Sequence, residues 1–203
     1  MIYNHGRYTI HAVKNQKKKT YNLVLEAICA ALITICSWIS LQVMDIPFTL
    51  QTFGVLLVLL SVGGRRGTIS VLVYLLLGLV GVPVFSGFKS GPAALSGPTG
   101  GFIAGFLMEA LIYWLIDSLF LKKLKTTKVR HLVICAIEGV ICELVLYIFG
   151  VAWFIIMYTQ STGPITVSVV LAKCVIPFLI PDAVKLIAAC VASLRTSRIV
   201  KES

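Results

Sequence analysis

Apolar runs long enough to cross a lipid bilayer recur along this chain, and they limit its fold more than any other feature. A helix needs about 20 apolar residues to cross the hydrocarbon core, and lipid offers no partner to an unpaired backbone N–H or C=O group. With 58% hydrophobic and 13% charged residues, the composition excludes a soluble globular protein. We predict an all-α membrane protein of six transmembrane helices, at about 21–43, 51–63, 67–82, 99–121, 132–153 and 165–194.

The distribution of Lys and Arg predicts the orientation of these helices. If the N-terminus is cytoplasmic, fifteen of the 18 basic residues lie on the cytoplasmic face and Lys89 alone lies on the other, as the positive-inside rule requires. Both termini are therefore predicted to be cytoplasmic, with a loosely ordered or membrane-surface basic leader at 1–20, a transmembrane domain at 21–195 and a short tail at 196–203. The net charge of +10 does not indicate nucleic-acid binding, because the basic residues lie between apolar spans.

A stretch rich in glycine and proline, VPVFSGFKSGPAALSGPTGGFIAG at 82–105, interrupts two of the apolar runs. Proline lacks the backbone donor that a helix interior needs, and glycine adopts conformations that other residues resist. We expect an ordered, non-helical loop that forms the lid and part of the wall of a binding pocket. The segments MDIPFTL (44–50) and TQSTGP (159–164) fall on the same outer face, so the substrate pocket is predicted at the extracellular side.

Asp182 and Lys185, in the sixth predicted span, are the first candidates for function. Charges inside a bilayer are costly, and the spacing of three residues puts these two on one helix face. They form either a structural ion pair or a site where Lys185 pairs with a ligand carboxylate while Asp182 accepts N–H donors. Pro181, with Pro177, is expected to break or kink this helix and to free backbone groups that face the ligand.

Other polar side chains at membrane depth have two possible roles each. Glu143 and Tyr147 lie one turn apart and either line a cavity or bond between helices. Gln51 and Thr52 either cap a helix or, with Thr49 and neighbouring aromatic residues, form the polar part of a small-molecule site.

Ala27 and Ala31 form a small-xxx-small pair that lets another membrane helix approach closely. The six cysteines lie in apolar runs without metal-ligand spacing, so neither a metal site nor a disulfide is predicted. A phosphate-binding G-x-x-x-x-G-K-[ST] motif is missing from the sequence, and so we do not expect the chain itself to hydrolyse ATP. No cofactor is predicted.

Three segments together resemble the BioY family, the biotin-specific substrate-capture (S) components of energy-coupling-factor (ECF) vitamin transporters. They are PFTLQTF (47–53) followed by the Arg-Arg-Gly at 65–67, GLVGVPVFSG running to LSGPTGGF (78–102), and PFLIPDAVK (177–185). The resemblance covers most of the chain from Tyr21 onward. It implies a six-helix subunit in the cytoplasmic membrane of a prokaryote that captures biotin from outside, beneath the loop after the third span. It also implies a transmembrane coupling subunit and two ATP-binding-cassette ATPases as partners, which use the ATP.

Carried onto this chain, the resemblance implies particular site residues. The implied ligand contacts are Thr49, Gln51, Phe85, Gly91, Gly97, Asp182 and Lys185. Ala27 and Ala31 match the small-residue motif that such components press against the coupling protein. This chain departs from the family where its loop reads GFKSGPAAL instead of a more glycine-rich segment, and Lys89 is expected to replace a basic or amide contact there.

Three alternatives to a biotin carrier remain at this point. One is a purely structural subunit, which would bind no ligand saturably. The same fold, tuned to another vitamin or small anion, would bind a different solute at the same pocket. An intramembrane enzyme would need a reactive site, for which the sequence offers only Glu109, Glu138, Glu143 and Tyr147. The motifs H-E-x-x-H and G-x-S-x-G are missing from the sequence, and we therefore predict no enzyme activity.

Overall fold

The structure is a computed structural model that describes residues 5–42, 46–120 and 127–202, with side chains described for 16–42, 46–119 and 127–197. Most of the chain is helical. The elements are α1 (His5–Trp38), β1 (Ser40–Leu41), β2 (Phe48–Thr49), α2 (Gln51–Val62), α3 (Gly64–Leu79), a 3₁₀ turn (Ser86–Phe88), α4 (Pro92–Leu95), α5 (Gly100–Phe120), α6 (Lys128–Ser161), α7 (Val167–Cys174) and α8 (Ile176–Glu202). Met44 and Asp45 of the predicted outer loop, residues 122–126 of the basic connector, and residues 1–4 and 203 at the termini lie outside the described residues.

Within the described part of the chain, four helical stretches are long and apolar enough to cross a membrane. They are Gln16–Trp38, Gly100–Leu119, Lys128–Ser161 and Ile176–Ser197. Helices α2 and α3, with 12 and 16 residues, extend over only about 18 and 24 Å. Both are therefore shorter than the ~30 Å hydrocarbon core.

Helix α2 is the centre of the packing. It packs against α8, α1, α3 and α5, and eight of its 12 residues are buried. A helix that is apolar on all sides has no face that requires water, so α2 can lie in the interior with the other helices around it. Its first residue, Gln51, is buried rather than solvated, so the start of α2 lies inside the protein.

Glycines allow α5 and α6 to approach closely. A Cβ atom on Gly101 would lie 2.1 Å from the Trp153 Cβ, and one on Gly150 would lie 2.2 Å from the Phe102 ring. Neither distance is compatible with a side chain at the glycine position. The pair of glycines therefore fixes how these two helices meet.

The predicted helix ends differ from the structure at α1, at α6 and in the sixth span. Helix α6 extends to Ser161, beyond the predicted end at 153 and into the predicted outer segment 159–164. Helix α1 begins at His5, so the segment predicted as a loosely ordered leader is continuous with the first span. The sixth predicted span is divided at Val175, between α7 and α8, whereas Pro181 lies inside α8. Pro177 is the second residue of α8, where a missing N–H costs nothing because first-turn N–H groups have no acceptor within the helix. The break therefore lies at Val175 and not at Pro181 as predicted, while a kink at Pro181 stays a prediction.

The glycine-rich loop is irregular apart from two short elements, the 3₁₀ turn and α4. Gly87 and Gly91 adopt φ angles of 70° and 77°, in the left-handed region that other residues avoid. The loop is held to the helices at both ends. Trp38 Nε1 donates to the Pro83 carbonyl at 2.9 Å, and Trp153 Nε1 donates to the Gly97 carbonyl at 3.0 Å.

Candidate functional site

A pocket lies where the start of α2, the glycine-rich loop and the helices α5, α6, α7 and α8 converge. Its polar lining includes Thr49, Gln51, Lys89, Tyr147, Asp182 and Lys185. Its apolar lining includes Phe85, Phe102, Ile103, Phe106, Leu146 and Phe178. A mostly apolar concavity with a few convergent polar groups is the usual composition of a small-molecule site.

Lys185 is the cationic centre of this pocket. Its Nζ donates to Asp182 Oδ1 at 2.7 Å, to the Thr49 carbonyl at 2.6 Å and to Thr52 Oγ1 at 3.2 Å. The same Nζ lies 4.1 Å from the centroid of the Phe48 ring, within the range of a cation–π interaction. An ammonium has three protons, and each of them has an acceptor here.

Asp182 gathers donors from three helices. Its Oδ2 accepts from the Tyr147 hydroxyl at 2.6 Å, and its Oδ1 accepts from Lys185 and, at 3.2 Å, from Thr52 Oγ1. Asp182 and Lys185 are only 4% and 7% exposed. Such a buried ion pair is tolerated because both charges are paired and each makes further hydrogen bonds. The hydroxyl of Thr52 therefore belongs to this network rather than to a helix cap.

Phe85 forms the wall of the pocket on the side of α3. Its ring is 1% exposed and packs edge-on against Tyr74, with centroids 5.6 Å apart and an interplanar angle of 78°. A Cβ atom on Gly78 would lie 2.1 Å from Phe85 Cζ, so only glycine leaves room for this ring. The backbone N–H of Gly91 donates to the Gly78 carbonyl at 2.7 Å, which ties the loop to the same turn of α3.

The start of α2 is fixed by a short antiparallel pair in which Ser40 faces Thr49. The Thr49 Oγ1 accepts from the Gln51 N–H at 3.3 Å, so this hydroxyl serves the first turn of α2. The side chain of Gln51 lies in the protein interior, where its Nε2 donates to the Tyr74 hydroxyl at 3.1 Å.

The glycine-rich loop contributes three of the predicted site residues in different ways. Lys89 lines the pocket and is exposed, and its carbonyl accepts from the Phe85 N–H at 3.1 Å. Gly91 and Gly97 do not line the pocket. They shape the loop instead, through the contacts with Gly78 and Trp153 described above.

Glu143 also lies outside the pocket lining, one turn from Tyr147 on α6. It is 9% exposed, and its Oε1 has no hydrogen-bond partner among the described residues. Glu109 on α5 is 0% exposed, and neither of its carboxyl oxygens has a partner among them. Of the predicted pair, the structure brings Tyr147 to the pocket and leaves Glu143 behind it.

Ala27 and Ala31 lie on an exposed face of α1. Their neighbours on this face are large and apolar, since Ile28 is 59% exposed and Ile35 is 52% exposed. Two small residues between larger ones form a shallow groove that another helix can enter.

Sequence reasoning missed Tyr74 and Gly78, which lie behind the pocket and support it. Tyr74 carries the only phenol of α3, and a polar aromatic group buried in an apolar helix normally has a hydrogen-bond partner. That signal was available in the sequence. The role of Gly78 was not, because it depends on a contact with the loop.

The comparisons with known proteins agree with each other. A sequence model of the BioY family matches residues 11–202. The biotin transporter BioY of Thermotoga maritima is 44% identical over 94 residues, which span 46% of this chain and 56% of that protein. The biotin transporter BioY2 of Lactococcus lactis is 38% identical over 139 residues, which span 68% of this chain and 71% of that protein. The probable biotin transporter BioY of Pyrococcus horikoshii is 35% identical over 167 residues, which span 82% of this chain and 90% of that protein.

Among solved structures, the S-component for biotin from an ECF-type ABC transporter superposes with a TM-score of 0.70 at 26% identity. The match covers 92% of this chain and 94% of that one. The named relatives are transporters, and the matched structure is a component of a transporter. None of them is named as an enzyme.

Proposed function

Because the chain belongs to the BioY family, we propose that it captures biotin as the substrate-binding subunit of an ECF-type transporter. The observation that carries the proposal is the pocket itself, which is lined by a buried Asp182–Lys185 pair, the amide of Gln51 and aromatic side chains. Biotin combines an apolar bicycle, a ureido group with two N–H donors and one carbonyl acceptor, and a carboxylate on a flexible chain. Each of these parts has a chemical counterpart in the pocket.

The ligand orientation that we propose follows from which groups are already engaged. All three protons of Lys185 have acceptors inside the protein, whereas Lys89 lies exposed at the mouth of the pocket. We therefore place the ureido group at the inner end, near Gln51, Asp182 and Lys185. The carboxylate then lies near Lys89, and the bicycle packs against Phe85.

Tyr147 and Thr49 complete the proposed inner site. Tyr147 holds the Asp182 carboxylate, while the Thr49 carbonyl holds the Lys185 ammonium. Gly91 and Gly97 act by shaping the loop, and Glu143 acts from behind the pocket rather than by direct contact.

In the membrane, we propose six spans formed by α1, α2, α3, α5, α6 and α8, with both termini in the cytoplasm. The basic side chains of Lys18, Arg65 and Arg66 meet in one cleft, at the opposite end of α2 from the pocket. The positive-inside rule assigns that end to the cytoplasm, which puts the pocket at the extracellular side of a prokaryotic cell membrane. We take residues 21–195 as the transmembrane substrate-binding domain. The leader and the tail, 1–20 and 196–203, then lie on the cytoplasmic side.

This orientation is tested by labelling introduced cysteines with a membrane-impermeant maleimide in intact cells. Lys89→Cys should react and Lys18→Cys should react only after the cells are opened. The six native cysteines are all buried, so they should give little background. The reverse pattern would contradict the proposed orientation.

The proposed partners are a transmembrane coupling subunit and two ATP-binding-cassette ATPases, which consume the ATP. The coupling subunit would contact the exposed face of α1 around Ala27 and Ala31. Membrane lipid covers the remaining apolar surface.

The direct test of the function is equilibrium binding of labelled biotin to the purified full-length chain. We expect saturable one-to-one binding that Asp182→Asn abolishes. Glu138→Gln is the matched control, because Glu138 is a buried carboxyl on α6 that does not line the pocket. If the folded wild-type chain binds no biotin, the proposed ligand is wrong, and other vitamins and small anions become the candidates.

A further inference from the structure

Tyr74 lies behind the pocket and touches two of its walls. Its side chain is 0% exposed and is not part of the pocket lining. Its hydroxyl accepts from Gln51 Nε2 at 3.1 Å, and its ring packs edge-on against Phe85. A single buried side chain on α3 thus supports both the polar and the aromatic wall.

The hydrogen bond to Tyr74 sets the orientation of the Gln51 amide. Its NH₂ end donates to the Tyr74 hydroxyl oxygen at 3.1 Å, and an amide NH₂ group can only donate. The other end of the amide, the Oε1 carbonyl oxygen, is then left as an acceptor in a residue that lines the pocket.

We propose that Tyr74 is a positioning and specificity residue, which orients the Gln51 amide so that the pocket offers a hydrogen-bond acceptor to a ligand N–H. The inference rests on the proposed function, because the ureido group of biotin supplies such an N–H. A site built around an acceptor rejects a ligand that lacks the donor, since a buried acceptor without a partner is costly.

A double-mutant cycle tests whether Tyr74 acts through Gln51. Tyr74→Phe removes the hydroxyl and keeps the ring against Phe85. In an otherwise wild-type chain we expect biotin to bind about tenfold more weakly, the scale of one misoriented buried hydrogen bond. In a Gln51→Leu background the same change should have no further effect. Tyr113→Phe is the control, because Tyr113 is a buried phenol on α5 outside the pocket lining, and it should leave affinity unchanged.

Ligand preference gives a second readout that a loss of packing alone would not change. The probes are biotin and its N-methylated derivatives, in which one ureido N–H is replaced by N–CH₃. The wild-type chain should bind biotin more tightly than the N-methylated derivatives, and Tyr74→Phe should reduce this difference in affinity. Gln51→Leu should reduce the preference for biotin too, because it removes the acceptor itself. Thermal melting of each variant identifies those that fold, and Gln51→Leu serves if Tyr74→Phe does not fold.

The outcomes separate the two proposals. Equal losses from Tyr74→Phe with and without Gln51, or an unchanged preference in both folded variants, would overturn the role of Tyr74 while biotin binding stands. If the folded wild-type chain does not bind biotin at all, the proposed function itself fails.

Discussion

The buried pair of Asp182 and Lys185 allows a prediction about stability as well as binding. Asp182→Asn removes the carboxylate charge and leaves the Lys185 ammonium with neutral acceptors alone. Lys185→Met removes the ammonium and leaves the Asp182 carboxylate with the hydroxyls of Tyr147 and Thr52. Each single change therefore leaves one buried charge without a counter-charge.

The size of the effect depends on burial. An exposed ion pair contributes about 0–1 kcal/mol, whereas removing one partner of a buried pair costs about 3–5 kcal/mol. The side chains of Lys185 and Asp182 are 8% and 5% exposed, with an N–O distance of 2.7 Å. The buried case applies, and we expect each single variant to lower the free energy of unfolding by about 3–5 kcal/mol.

The double variant Asp182→Asn/Lys185→Met should lose less than the sum of the two single changes, because no isolated charge remains. The assay is reversible unfolding of the purified chain in mixed micelles, followed by tryptophan fluorescence. Glu138→Gln, which changes a buried carboxyl outside the pocket, is the control for a general effect of altering buried acids. If the double variant loses the full sum, or if each single variant loses less than about 1 kcal/mol, then water in the pocket screens the pair and the reasoning from burial is wrong.

Three further changes test other parts of the molecule. Gly78→Ala places a methyl group where Phe85 now lies, at 2.1 Å from its Cζ. We therefore expect biotin affinity to fall by tenfold or more, on the order of one lost aromatic contact. Unchanged affinity would mean that the Phe85 ring is not a wall of the pocket. Lys89→Gln should slow biotin association and reduce its dependence on salt, measured by stopped-flow fluorescence, because an exposed charge acts mainly through steering. Ala31→Leu should leave biotin binding intact and prevent co-purification of the coupling subunit, since a larger side chain blocks close helix approach. If the subunits still assemble, this face of α1 is not the contact surface for the coupling subunit.

The loop and the helices differ in how far the sequence predicts them. An apolar run becomes a helix in lipid because a helix pairs its own backbone N–H and C=O groups. This is a local property, so the sequence alone predicts it. The predicted non-helical loop contains one short helix, α4, and the sixth span divides at Val175 instead of Pro181. Both differences arise because the effect of a proline depends on its position. A proline is tolerated in the first turn of a helix and disfavoured in the helix interior, and residue type alone does not show which position it takes.

The candidate site was predicted in part, for a related reason. Charged residues at membrane depth stand out in a sequence, so Asp182 and Lys185 were identified. Gln51 was a candidate because it lies among hydroxyl and aromatic residues, and family resemblance added Phe85. Glu143 was grouped with Tyr147 by spacing, yet α6 turns only Tyr147 to the pocket. A difference of one helical turn is enough to separate them in space, because depth and rotation of each helix are set by its neighbours.

The sequence by itself determined that this chain is a helical membrane protein, where its apolar helices lie, and to which family it belongs. These properties follow from hydropathy and local motifs, which act over one helix at a time. The tertiary structure alone decided that Lys185 reaches the Thr49 carbonyl, 136 residues away along the chain, and that Tyr74 and Gly78 support Gln51 and Phe85. Such contacts depend on how helices rotate and pack around α2, and packing is a property of all the helices together.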